Sequence, residues 1–78
     1  MRIVIDNLPH DVSEDEIREA LSPFTAAGNI TLITEGSLPS AIIEVDMSHA
    51  DAVTLAMRID GHFFKDRRLR VWVPRWQG

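Results

Sequence analysis

The residue types most able to do chemistry in this chain gather near its C-terminus, where Arg67, Arg68, Arg70 and Arg75 interleave with Trp72 and Trp76. Guanidinium groups hold phosphate oxygens through forked hydrogen bonds, and indole rings stack on other flat rings. The run therefore points to a polyanion that also carries rings. Residues 1–64 hold three arginines against eleven acidic residues, whereas residues 65–78 hold five basic residues against Asp66 alone. The formal net charge of -4 thus conceals a basic C-terminal stripe on an acidic body, and it is the asymmetry that gives an electrostatic footprint. The plain alternative is a solvated edge strand.

Other constellations point away from catalysis. His10, His49 and His62 are scattered and lack the i, i+4 spacing of a helical metal site. Glu14, Asp15, Glu16 and Glu19 lie on the outer side of an amphipathic helix start, where acids favour the positive helix end. Gly28, Gly36 and Gly61 stand alone in turns and build no phosphate-cradling loop. The chain has no cysteine, so it has no disulfide framework, thiolate ligand or sulfur nucleophile. No enzyme activity, catalytic residue, metal or cofactor is expected. Apolar runs are too short for a membrane span or a signal-peptide core, and a cytoplasmic setting is expected.

Elements able to position the arginines and tryptophans can be read from hydrophobic period. Arg2-Ile3-Val4-Ile5-Asp6 alternates as a strand, with Ile3 and Ile5 on one face and Arg2, Val4 and Asp6 on the other. Ser13 and Glu16 form a capping box, and Ile17, Ala20, Leu21 and Phe24 make one helical stripe that Pro23 ends near Ser22. Residues 29–34 and 40–45 are strand-rich and flank a loop around Gly36. Ser48 and Asp51 open a second helix with Ala52, Leu55, Ala56 and Ile59 on its inner face, stopped at Asp60-Gly61. Arg67 to Val73 alternates as one strand, with Leu69, Val71 and Val73 inward and Arg68, Arg70 and Trp72 outward.

This order, strand, helix, strand, strand, helix, strand, predicts an α+β, ferredoxin-like split β-α-β sandwich: a four-stranded antiparallel sheet with two helices on one face. Residues 1–74 form the domain and 75–78 a short tail. With 78 residues the chain is too small for a second core or a deep substrate cavity, so function must reside on its surface, above all on the uncovered sheet face.

From Ile3 to about Val73 the chain resembles the RNA recognition motif family. Ile3-Val4-Ile5-Asp6-Asn7-Leu8 is similar to the family's first-strand signature except at its aromatic position, and Leu8-Pro9, Val12-Ser13 and Ile17 resemble the approach to its first helix. Ala52, Leu55, Ala56, Ile59-Asp60-Gly61, Phe64, Arg67, Leu69 and Val71 follow the family's spacing. The third strand departs from it. Where the family reads Lys/Arg-Gly-Phe/Tyr-Gly/Ala-Phe-Val-x-Phe/Tyr, this chain has Leu38 to Val45, so Ser40, Ile42 and Val4 occupy the three positions where the family stacks bases on aromatic rings. Thr25-Ala26-Ala27 also looks like an insertion.

The resemblance implies single-stranded RNA as partner, bound weakly or moderately on the open face. Arg68, Arg70 and Arg75 would hold phosphates, Trp72 and Trp76 would stack bases, and Arg2, Val4, Ser40 and Ile42 would add surface contacts. The competing expectation for Trp72 is a cap over Val4 and Ile42, and for Trp76 a hydrophobic plug. The alternative function is a protein-interaction module of the same fold, using the sheet face or the acidic first helix beside His62-Phe63-Phe64, where peptide-binding relatives of the family carry Arg-x-Phe.

Overall fold

The computed structural model describes residues 1–75. Its elements are β1 (Arg2–Asp6), α1 (Glu14–Leu21), β2 (Ile30–Ile33), β3 (Ser40–Glu44), α2 (His49–Ile59), β4 (Phe63–Phe64), β5 (Arg67–Arg68) and β6 (Arg70–Trp72). The main sheet has the order β2-β3-β1-β6, with all neighbours antiparallel. Ile3, Ile5, Ile30, Ala41, Ile43 and Val71 are buried on one face of it, together with Ile17 and Leu21 of α1 and Ala52, Leu55, Ala56 and Ile59 of α2. The expected sandwich is therefore present, and its apolar stripes meet as period and face require.

Both helices begin as their sequences dictate. Ser13 accepts the Glu16 N–H while the Glu16 carboxylate accepts the Ser13 N–H, completing a reciprocal capping box. Ser48 accepts the Asp51 N–H at the start of α2. Beyond α2, Gly61 has φ +87, a left-handed conformation that a Cβ disfavours, and its N–H is bonded to the Leu69 carbonyl. The segment after α1 is tied back by the Arg18 guanidinium, which donates to the Ala27 carbonyl at 2.6 Å.

The C-terminal segment departs from the expected single strand over 67–73. Phe63–Phe64 and Arg67–Arg68 pair as a separate two-stranded hairpin, and only Arg70–Trp72 joins the main sheet. The hairpin turns through Lys65 and Asp66, both with positive φ (48 and 65), the backbone of a two-residue primed turn. The expected strand breaks at Leu69, where the chain changes partner from Phe63–Phe64 to β1, and the alternation of side chains continues unbroken across that change. Among the described residues no helix is long and apolar enough to cross a membrane.

Candidate nucleic-acid interface

Register defines the open face row by row. Thr31 stands opposite Ile42, Ile42 opposite Val4, and Val4 opposite Trp72; the next row runs Ile33, Ser40, then Asp6 and Arg70 across β1 and β6. Strand side chains alternate, so these residues project together from the side without helices. Arg2 and Glu44 form a third row, with the Arg2 Nε 3.8 Å from the Glu44 carboxylate.

Trp72 dominates this surface. It is 48% exposed, whereas Val4, opposite it on the same helix-free face, is only 8% exposed and Ile42 is half-buried. The indole thus shields the apolar centre of the sheet and still offers about half of its surface to solvent. Its Nε1–H donates to Asp6 Oδ2 at 2.7 Å, and Asp6 Oδ1 accepts the Ser40 hydroxyl at 2.7 Å. A buried or half-buried indole N–H needs a partner, and Asp6 supplies it while fixing the ring's orientation.

The cations border the ring. Arg70 is 72% exposed along its side chain, and its Nε lies 3.6 Å from the Asp60 carboxylate. Asp60, just past α2, also accepts the Val71 N–H at 2.9 Å and so binds the outer edge of β6. Arg68 belongs to the hairpin rather than to the main sheet. Its guanidinium lies over the Phe63 ring at 5.2 Å, a cation–π contact that stiffens the side chain without neutralising it. Arg68 and Arg70 nonetheless line one shallow depression on the sheet with Asp6, Asn7, Leu38 and Ser40. Arg75 is exposed just beyond β6, and Trp76 lies outside the described residues. Among the described residues no cluster of His, Cys, Asp or Glu could hold a metal ion.

Asn7, Arg67 and Asp6 carry structure that residue types alone did not reveal. Asn7 adopts φ 69, its side-chain amide donates to the Arg68 carbonyl at 2.7 Å, and its carbonyl oxygen accepts from Arg67. One left-handed residue at the end of β1 thereby fastens the hairpin to the sheet. At the hairpin's other side, Lys65 is ion-paired to Glu16 and lies 3.8 Å from Asp11. This pair, helped by the Ser13 N–H, holds the Glu16 carboxyl below its ordinary value, and Glu16 in turn raises the Lys65 ammonium.

The opposite surface holds an apolar pocket of about 130 Å³, between α1 and the segment after α2, lined by Ile17, Ala20, Phe24, His62, Phe63 and Phe64 among others. Phe63 is 69% exposed beside it. Glu16, one of the acids expected to steer a basic peptide there, is already engaged by Lys65.

Residues 3–70 match the RNA recognition motif family model. No curated protein matches the chain. Among solved structures, the chain of the C. elegans NONO-1 homodimer is 31% identical, with a TM-score of 0.73 over 91% of this chain, which spans 27% of that longer one. The Rna15 domain solved with bound RNA (GU) is 15% identical, with a TM-score of 0.74, covering 95% of this chain and 82% of that one. The MEC-8 C-terminal domain bound to AGCACA is 22% identical, with a TM-score of 0.72, covering 99% and 93%. At these last two identities the likeness establishes the fold. A sheet of order β2-β3-β1-β6 backed by two helices, with the family match spanning residues 3–70, places this chain in the RNA recognition motif family, a family of RNA-binding domains and not of enzymes.

Proposed function

We propose that this domain binds single-stranded RNA on its helix-free sheet face, by contact alone and with no catalytic step. One observation carries the reading: Trp72, on the edge strand β6, is half exposed and locked by Asp6, with the exposed Arg70 on the next rung and Arg68 beyond it on the rim of the same depression as Asp6. Trp72 supplies a stacking surface on β6 in place of the rings that Val4, Ser40 and Ile42 do not provide. Arg68, Arg70 and Arg75 hold phosphates. Ser40 and Ile42 line the path of the strand, Val4 supports Trp72 from below, and Arg2, paired with Glu44, marks its far end. Trp76 follows Arg75 closely enough in sequence to stack a further base. The Rna15 and MEC-8 domains, which share the fold, were solved with RNA bound, and this supports RNA as the class of ligand.

Affinity is modest on this reading, because each stacked base contributes about 1–3 kcal/mol and only the last strand retains rings for it. The competing outcome is a peptide in the pocket beside Phe63, a mode weakened by the engagement of Glu16 with Lys65.

Salt dependence tests the proposal. Each phosphate neutralised in a single strand contributes a slope of about -0.7 in log affinity against log salt, so three arginines give roughly -2. Fluorescence anisotropy of a labelled mixed-sequence oligonucleotide should show that slope, and Arg70→Ala should flatten it by about 0.7. A slope near zero, unchanged by Arg70→Ala, would remove the phosphate contacts from the proposal.

A further inference from the structure

We infer that the Asp6–Arg70 rung makes the open face select guanine among the bases of a bound strand; this rests on the sheet-face RNA reading above. Asp6 and Arg70 are direct cross-strand partners on β1 and β6, one rung from Trp72. Asp6 makes no ion pair among the described residues. Each of its oxygens accepts one hydrogen bond, from Ser40 at one and from Trp72 at the other. A carboxylate has about four acceptor sites, so one remains on each oxygen, and the two existing bonds hold the group in a single orientation. Arg70 faces Asp60 through Nε, and no other partner engages its guanidinium among the described residues. Arg68 and Asn7 close the rim of the same depression.

Unpaired bases are read largely through their Watson–Crick edges. Guanine presents there an acceptor, O6, followed by two adjacent donors, N1–H and N2–H2. An arginine beside a carboxylate is the complement of that order: with Nε facing Asp60, Arg70 donates one remaining N–H to O6 and keeps another for the adjoining phosphate, while the two unspent sites of Asp6 accept N1–H and N2–H2. Adenine and cytosine each place an acceptor, N1 or N3, where the carboxylate needs a donor, and uracil has a single donor between two acceptors. Each of these three leaves the carboxylate facing a lone pair or an unmet site, a mismatch that discriminates more strongly than a missing apolar contact. The same base can lie against Trp72, so stacking and edge recognition act on one nucleotide.

The test uses the full chain and five RNA oligomers, UUGUU, UUAUU, UUCUU, UUUUU and UUIUU, where inosine keeps O6 and N1–H but lacks the exocyclic amine. One good bidentate pair discriminates by about tenfold or more. UUGUU should therefore bind at least about tenfold tighter than the A, C and U oligomers, and UUIUU should lose most of that advantage. Asp6→Asn should bring the ratio of UUGUU to UUUUU affinity from at least about tenfold to about one; the ratio is the readout, because Asp6 also orients Trp72 and its loss lowers both affinities. Should Asp6→Asn fail to fold in a thermal melt, the wild-type comparison of guanosine with inosine decides alone. Equal binding of all five oligomers would overturn guanine selection and leave RNA binding standing. Binding of none would overturn the sheet-face reading and the selection with it.

Discussion

Trp72 and Arg70 lie on adjacent rungs of the same face, and the proposed function gives them different parts of a nucleotide to hold, so their removal should have separable effects. A stacked ring releases no counterions, whereas a guanidinium on a phosphate does. Trp72→Ala is expected to weaken RNA binding by about 1–3 kcal/mol and leave the salt slope nearly unchanged, which anisotropy at several salt concentrations would show. A variant that kept wild-type affinity would confine Trp72 to shielding Val4. That these side chains share a face was legible in the sequence, because a strand alternates with period two and Ile3, Ile5 and Val71 had to point inward. The bonds among them were not. Asp6 meets Ser40 34 residues away and Trp72 66 residues away, and only the register of three strands brings those atoms together. Alternation put Asp6 on the open face; it could not show that Asp6 anchors the ring.

At the scale of elements, the two helices and the first three strands follow from capping, spacing and turn chemistry, with boundaries within a residue or two of those expected. The exception is the β4–β5 hairpin. Its turn places a lysine and an aspartate in left-handed backbone, each disfavoured by about 1–2 kcal/mol relative to the ordinary right-handed region, so local preference argues against it. Tertiary contacts reverse that preference: Asn7 grips one strand of the hairpin, and Lys65 reaches Glu16 on α1. The Lys65–Glu16 clamp carries a pH signature. A carboxyl whose folded pKa is lowered contributes fully above its unfolded value and loses that contribution as pH falls through the lowered one; a raised lysine contributes fully below its ordinary value and loses it as pH rises through the raised one. The clamp is therefore whole from the weakly acidic to the mildly alkaline range and opens at either extreme. In an NMR titration the Glu16 side-chain carboxyl should titrate below the midpoint of a glutamate in an unstructured peptide, and Lys65→Gln should move it back toward that midpoint. A Glu16 midpoint indifferent to Lys65→Gln would show the contact to be unoccupied in solution.

For the whole molecule, the decisive feature is that the layering of two helices on one side of a sheet leaves the other face uncovered, and the charge is not spread evenly around it. The basic residues of the C-terminal segment stand at the β6 side of the sheet and on the adjoining hairpin, whereas much of the acidity lies on α1 and in the loops. An attached strand is drawn to one edge of the sheet and repelled by the acidic helix behind it, which limits affinity for short oligomers. The fold class, the open face and the basic stripe could all be read from residue order, since each depends on local pattern; the depression between β1, β6 and the hairpin could not, since it exists only after the strand breaks at Leu69. The most direct test of sheet-face binding is a map of backbone amide chemical shifts during titration with mixed-sequence single-stranded RNA at low salt. The predicted result is a contiguous set of shifts at Val4, Asp6, Ser40, Ile42, Arg68, Arg70 and Trp72, with α1 and Phe63 quiet. No movement of any sheet-face amide at millimolar RNA, or movement confined to α1 and the segment around Phe63, would contradict it.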